Sequence, residues 1–127
     1  MASDKSLKIA VVDDSEFSRQ SIVESLENAG HNVVGNFSSG EEALKQYKAC
    51  GANLFIIDVV MPDISGIEVG KTIVEKTMNS SIIMMSSLNS EHIVIEAISN
   101  GAVDFIQKPF EPQELLSSVE KIEKDLK

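Results

Sequence analysis

Apolar runs recur along the chain, and each is followed by a segment whose apolar residues return at helical spacing. Leu7 to Val12 is a short, β-branched run that ends at Asp13-Asp14. Phe17, Ile22, Val23 and Leu26 then repeat at intervals that predict a helix, with Gly30 where it would stop. Asn32 to Phe37 reads as a second strand. Ser39 to Glu42 has the spacing of a capping box and opens a helix carrying Ala43, Leu44 and Tyr47. Asn53 to Ile57 is nearly all apolar, as strands buried on both faces are, and it ends at Asp58. Met61 to Gly66 is a loop punctuated by Pro and Gly. Ser65 to Glu68 repeats the capping-box spacing ahead of Ile67, Val69, Ile73 and Val74. Ser81 to Met85 is a fourth strand ending at Ser86-Ser87, and Ser90 to Asn100 is a helix with Ile93, Ile95, Ala97 and Ile98, stopped by Gly101. Val103 to Gln107 is a fifth strand ending at Lys108-Pro109. Pro112 falls near the first turn of the last helix, where a missing N–H costs least, and Leu115, Leu116, Val119 and Ile122 form its inner face.

Strict alternation of strand and helix predicts an α/β fold: a five-stranded parallel sheet, doubly wound, with five helices on both faces and right-handed crossovers. No linker, low-complexity tract or short repeat interrupts the pattern, so one domain is expected over residues 1–127, with its core at about 7–126. Such sheets bind ligands at the carboxyl ends of their strands, near the point where strand order reverses.

Composition narrows the partners. The 127 residues are 43% hydrophobic and 24% charged, ordinary values for a globular chain. A formal net charge of −9 opposes phosphate backbones and anionic lipid, so neither direct nucleic-acid binding nor membrane insertion is expected. Basic protein surfaces and metal cations are the natural counterparts. Cys50 is the only cysteine, so no internal disulfide can form. Met1 to Lys8 has no apolar run of the signal-peptide kind, and a cytoplasmic location is expected.

The candidate chemistry sits at the strand ends. Strands one, three, four and five end in Asp13-Asp14, Asp58, Ser86-Ser87 and Lys108, all polar and each directly after an apolar run. Singly, each has a plain explanation: a helix cap for Asp13 or Asp14, a turn for Asp58, a cap for the serines, a solvated ammonium for Lys108. Agreement at four strand ends is what neither capping nor solubility accounts for. Three crowded carboxylates raise one another's pKa unless neutralised, and a hard divalent cation with oxygen ligands neutralises them. A carboxylate can also attack phosphorus to form an acyl phosphate, a reaction that needs positioning and neutralised equatorial oxygens. Asp58, alone on the central strand after Phe55, Ile56 and Ile57, suits the nucleophile, and the paired Asp13 and Asp14 suit the metal.

On these residues the chain resembles the response regulator receiver family over almost its whole length. The matching motifs are Asp13-Asp14, the stretch Asp58-Val-Val-Met-Pro-Asp-Ile-Ser-Gly-Ile-Glu68, Ser86-Ser87, and Gly101-Ala-Val-Asp-Phe-Ile-Gln-Lys-Pro-Phe110. The resemblance implies a flavodoxin-like (β/α)5 fold with Asp58 as phosphoacceptor. It implies Mg²⁺, with Mn²⁺ as a substitute, held by Asp13, Asp14, Asp58 and the Val60 backbone carbonyl. Lys108, Ser86 and Ser87 would contact the phosphoryl group, Ser86 and Phe105 would form the switch, and Pro109 would follow a cis peptide bond. The donor would be a histidine kinase. Stand-alone chemotaxis regulators of the CheY type are the nearest match, through the stretch Val94 to Phe110. The output would be the surface of helix 4, strand 5 and helix 5, acting on a target protein such as a flagellar motor switch component, with a phosphatase as a further partner. The chain stops at the fifth helix, which is expected to leave no output domain; the alternative is a receiver cut from a longer transcriptional or enzymatic regulator. The chain would be a signalling domain rather than an enzyme, capable only of self-phosphorylation from small donors and slow self-dephosphorylation. The slowness follows from Val60 and Leu88, apolar where the family often places polar residues that orient the attacking water.

Three other classes fit less well. A flavin-binding electron carrier needs a hydroxyl- and Gly-rich loop after the first strand, where this chain has Asp13-Asp14-Ser15-Glu16. Phosphatases with an Asp nucleophile resemble one another in a second Asp two residues later, which adjacent Asp13 and Asp14 do not match. A non-phosphorylated interaction module would have no need of the whole acceptor set.

Overall fold

A computed structural model describes residues 6–88 and 90–125. Residues 1–5, most of the segment read as lacking a signal peptide, and residue 126, where the core was expected to end, lie outside the described residues.

Ten elements alternate as the pattern predicts: β1 (Lys8–Val12), α1 (Glu16–Asn28), β2 (Asn32–Phe37), α2 (Gly40–Cys50), β3 (Leu54–Asp58), α3 (Gly66–Lys76), β4 (Ser81–Ser86), α4 (Glu91–Ser99), β5 (Asp104–Gln107) and α5 (Pro112–Asp125). All four strand pairings are parallel and the order is β2-β1-β3-β4-β5. The chain leaves β1 for one edge and returns to its other side as β3, so the reversal of strand order lies between β1 and β3.

Period-two alternation divides the sheet into two apolar faces. Ile9, Val11, Leu54, Ile56, Ile83, Met85 and Ile106 pack under Ile22 and Leu26 of α1 and Leu115, Val119 and Ile122 of α5. Ala10, Val12, Phe55, Ile57, Ile82 and Met84 face Ala43 and Tyr47 of α2, Val69 and Ile73 of α3, and Ala97 of α4. β3 is buried along its whole length, as its nearly unbroken apolar sequence required. Gly101 ends α4 at φ 107, a left-handed conformation that only glycine adopts without cost.

Two apolar expectations need correction. Phe17, read with Ile22, Val23 and Leu26 as one apolar pattern, is 85% exposed, because its spacing of five and nine residues from Ile22 and Leu26 turns it to the other side of α1 at about 3.6 residues per turn. On α4, Ala97 turns inward and Ile93 packs partly, while Ile95 and Ile98 stay exposed. α4 is apolar over more of its circumference than the sheet can bury.

Candidate functional site

β1, β3, β4 and β5 are neighbours in the sheet, so their carboxyl ends form one rim, and edge strand β2 is the one that supplied no candidate. Backbone bonds extend the ladder into the loops and fix that rim: Val59 N–H donates to Met85 O at 2.9 Å and Lys108 N–H to Ser86 O at 2.8 Å. The β3–α3 loop folds tightly behind Asp58. Gly66 N–H donates to Val59 O at 2.8 Å, and a Cβ on Gly66 would collide with the Asp58 carbonyl oxygen.

The three carboxylates converge. Asp13, Asp14 and Asp58 each present an oxygen within 4.8 Å of the others'. Asp13 is 0% exposed and Asp58 8%, while Asp14 is open to solvent. Lys108 Nζ spans the pair, 2.7 Å from Asp13 Oδ2 and 2.9 Å from Asp58 Oδ2. The other Asp58 oxygen, Oδ1, accepts from Val60 N–H at 3.0 Å. Ser86 is buried at the end of β4, its Oγ accepting from Leu88 N–H at 3.0 Å. Ser87 is exposed next to it. Val60 and Leu88 are 51% and 47% exposed and give the crevice an apolar rim. Phe105 is half-buried on β5 opposite Met84, and the Lys108–Pro109 bond is cis.

Neither Asp13 nor Asp14 caps α1. Ser15 does so, its Oγ accepting from Ser18 N–H at 3.2 Å, and Ser90 caps α4 in place of Ser86 or Ser87. The strand-end groups are therefore left for the crevice.

Burial pushes the Asp58 carboxyl above its ordinary range, against the pull of hydrogen bonds from Lys108 and Val60 N–H and of the Lys108 charge. Burial alone would favour the neutral Lys108 amine, but its hydrogen bonds to Asp13 and Asp58 and their charges outweigh it and hold the ammonium above its usual value. Lys108 pairs with two of the three carboxylates, and with all three ionised the set carries two negative charges more than that ammonium cancels. An all-oxygen donor set with that excess fits a hard divalent cation of the Mg²⁺ kind.

Four residues escaped the sequence reading. Ser15 N–H donates to Asp13 Oδ1 at 2.9 Å, Ser18 Oγ to Asp13 Oδ2 at 2.8 Å, and Arg19 Nη1 to the Asp13 main-chain oxygen at 2.6 Å. Asp63 reaches across to the start of α2 and accepts from Gly40 and Glu41 N–H at 3.3 and 2.8 Å. Serines beside an Asp pair carry no sequence signal beyond capping, and the Asp63 contact joins residues more than twenty positions apart. Beside Lys108, a groove of about 420 Å³ runs between α1 and the β5–α5 loop, with Phe17, Ser21, Ile22 and Phe110 in its walls.

The sequence model of the response regulator receiver domain matches residues 9–120. The chemotaxis protein CheY of Thermotoga maritima is 35% identical over 117 residues, 92% of this chain and 98% of that protein. The alkaline phosphatase synthesis transcriptional regulatory protein PhoP of Bacillus subtilis is 35% identical over 91% of this chain but only 48% of its own length. Among solved structures, the response regulator domain of Thermotoga maritima CheB superimposes with a TM-score of 0.82 at 35% identity, covering 95% of this chain and 96% of that one.

Proposed function

The chain belongs to the response regulator receiver family, and from that premise we propose that it is a phosphoaspartate switch whose acceptor is Asp58, charged by a histidine kinase. The observation that carries the reading is the Lys108 ammonium bridging two buried carboxylates at neighbouring strand ends, with Asp14 completing the acidic set. Asp13, Asp14, Asp58 and the Val60 carbonyl would hold Mg²⁺, which supplies neutralisation of the phosphoryl oxygens.

The transfer needs little from the protein beyond placement. Val60 N–H and Lys108 fix the two Asp58 oxygens, so the carboxylate meets an incoming phosphorus in one orientation. An Asp58 oxygen forms the new O–P bond as the N–P bond of the phosphohistidine breaks, and the bonding pair leaves with the imidazole, which takes up a proton. Lys108 then neutralises phosphoryl oxygens in place of Asp58 Oδ2. Ser86 uses its oxygen to accept from Leu88 N–H, which leaves its O–H free to donate to a phosphoryl oxygen. Ser87, exposed on the same rim, is placed for a second contact. Drawing Ser86 toward the phosphate opens space into which half-buried Phe105 rotates. The surface of α4, β5 and α5 changes as a result, a two-state element biased by a local charge. Exposed Ile95, Ile98 and Val103 make that surface a docking site for a target protein.

Likeness to CheY along nearly the full length of both chains supports a chemotaxis role, acting in the cytoplasm on a motor switch component, with a phosphatase to reset it. A second reading, a receiver that governs an attached output domain, is favoured by PhoP, in which the matching segment fills about half the protein.

The switch is tested by amide NMR of wild type and Ser86→Ala, each phosphorylated by a small donor with Mg²⁺. Wild type is expected to shift amides at the acceptor and across α4, β5 and α5. Ser86→Ala is expected to shift only the acceptor region. Equal shifts on the output surface in both proteins would contradict the Ser86–Phe105 coupling.

A further inference from the structure

We propose that Ser18 is a positioning residue for the divalent cation, acting through Asp13. This deepens the phosphoaspartate reading and rests on its acidic site.

Asp13 is wholly buried, so its carboxylate orientation is set by protein groups rather than by water. The beginning of α1 grips three of its acceptor atoms. Ser15 N–H holds Oδ1 at 2.9 Å, Ser18 Oγ holds Oδ2 at 2.8 Å, and Arg19 Nη1 holds the main-chain oxygen at 2.6 Å. Lys108 Nζ takes Oδ2 as well, at 2.7 Å. A carboxylate oxygen offers about two lone-pair directions. Ser18 and Lys108 therefore fill both on Oδ2, and among the described residues Oδ1 keeps one direction open beside the single bond from Ser15.

Ser18 thus decides which Asp13 oxygen is available to a metal. It also separates the two tasks of Asp13: Oδ2 anchors the Lys108 ammonium, and Oδ1 remains a donor toward the Asp14 and Asp58 oxygens. Without the hydroxyl, Oδ2 is left with Lys108 alone and only the Ser15 N–H bond to Oδ1 resists a turn of the carboxylate that brings Oδ1 toward that ammonium. Its metal-donating lone pair is then lost part of the time. Hydrogen bonds to a ligating carboxylate from residues that do not touch the metal are typically worth about 10–100-fold in metal affinity.

The test is an NMR titration of the whole chain with MgCl₂ alone, comparing wild type, Ser18→Ala and Ser18→Thr, with thermal melts of each in chelator as a check on folding. Wild type is expected to bind Mg²⁺, Ser18→Ala to bind at least about tenfold more weakly at an unchanged melting temperature, and Ser18→Thr, which keeps the hydroxyl, to recover binding. Wild-type affinity in Ser18→Ala would overturn the role of Ser18 and leave the metal site standing. Equal weakening in Ser18→Thr, or loss that tracks a lowered melting temperature, would reduce Ser18 to a packing residue and overturn it too. Failure of wild type itself to bind Mg²⁺ would remove the acidic site's metal function, and this inference with it.

Discussion

In the proposed switch, single side chains at the rim set both the chemistry and its duration. Asp58 is held at both oxygens, and its burial makes negative charge costly, a cost that Lys108 and the Val60 N–H only partly offset. The lifetime of the phosphoryl group depends on water. Val60 and Leu88 are half-exposed beside the acceptor, and an apolar side chain there cannot hold a water in line with phosphorus. Val60→Asn is expected to speed loss of the phosphoryl group about fivefold, the rate equivalent of the roughly 1 kcal/mol that one hydrogen bond contributes. Decay of the phosphorylated protein, followed by mass spectrometry, checks this; an unchanged rate would show that Val60 merely packs. At this scale the sequence was informative through the agreement of four strand ends, because Asp58 or Lys108 alone reads equally as a turn residue or a solvated ammonium. It was silent on Ser18 and Arg19, whose importance comes from what they touch and not from their type.

Elements place those residues, and their ends carry most of the placement. α2 is capped twice: Ser39 Oγ accepts from Glu42 N–H at 3.1 Å, and the Asp63 carboxylate caps Gly40 and Glu41 from the β3–α3 loop. That loop also carries Val60, so the second cap ties the acceptor's neighbour to a helix on the same side of the sheet. The predicted capping boxes are only partly realised. Glu42 turns back to Ser38 N–H at 2.8 Å, and Ser65 Oγ accepts from Ile67 N–H at 3.2 Å. The spacing foretold where both helices start but not how the reciprocal bond is made. The hydrogen bond from Glu41 N–H, with lesser ones from Ile64 and Gly40, holds the Asp63 carboxyl below its ordinary value. Its folded pKa is then below its unfolded one, so the stabilisation is present above about pH 4 and is lost as pH falls through the folded value. Asp63→Asn is accordingly expected to lower the melting temperature at pH 7 and to make no difference near pH 2. A melting-temperature difference of the same size at both pH values would show that the carboxylate charge plays no part.

For the whole molecule, strand order is what turns separate motifs into one site. The alternation of strand and helix made the parallel sheet legible, and with it the gathering of the strands' carboxyl ends on one side; the order that sets β1, β3, β4 and β5 next to one another comes from the structure. The outward turn of Ile95 and Ile98 on α4 was not legible, because an apolar residue at helical spacing reads the same whether a sheet or a partner covers it. A net charge of −9 adds a long-range preference for a basic partner face, which salt should weaken.

The central claim, that Asp58 takes up one phosphoryl group at a divalent-cation site, is tested most directly by intact-mass spectrometry after incubation with a small phosphodonor and Mg²⁺. Wild type should gain the mass of one phosphoryl group, Asp58→Asn should gain none, and a chelator should abolish the gain. No gain in wild type, or an equal gain in Asp58→Asn, would contradict the account.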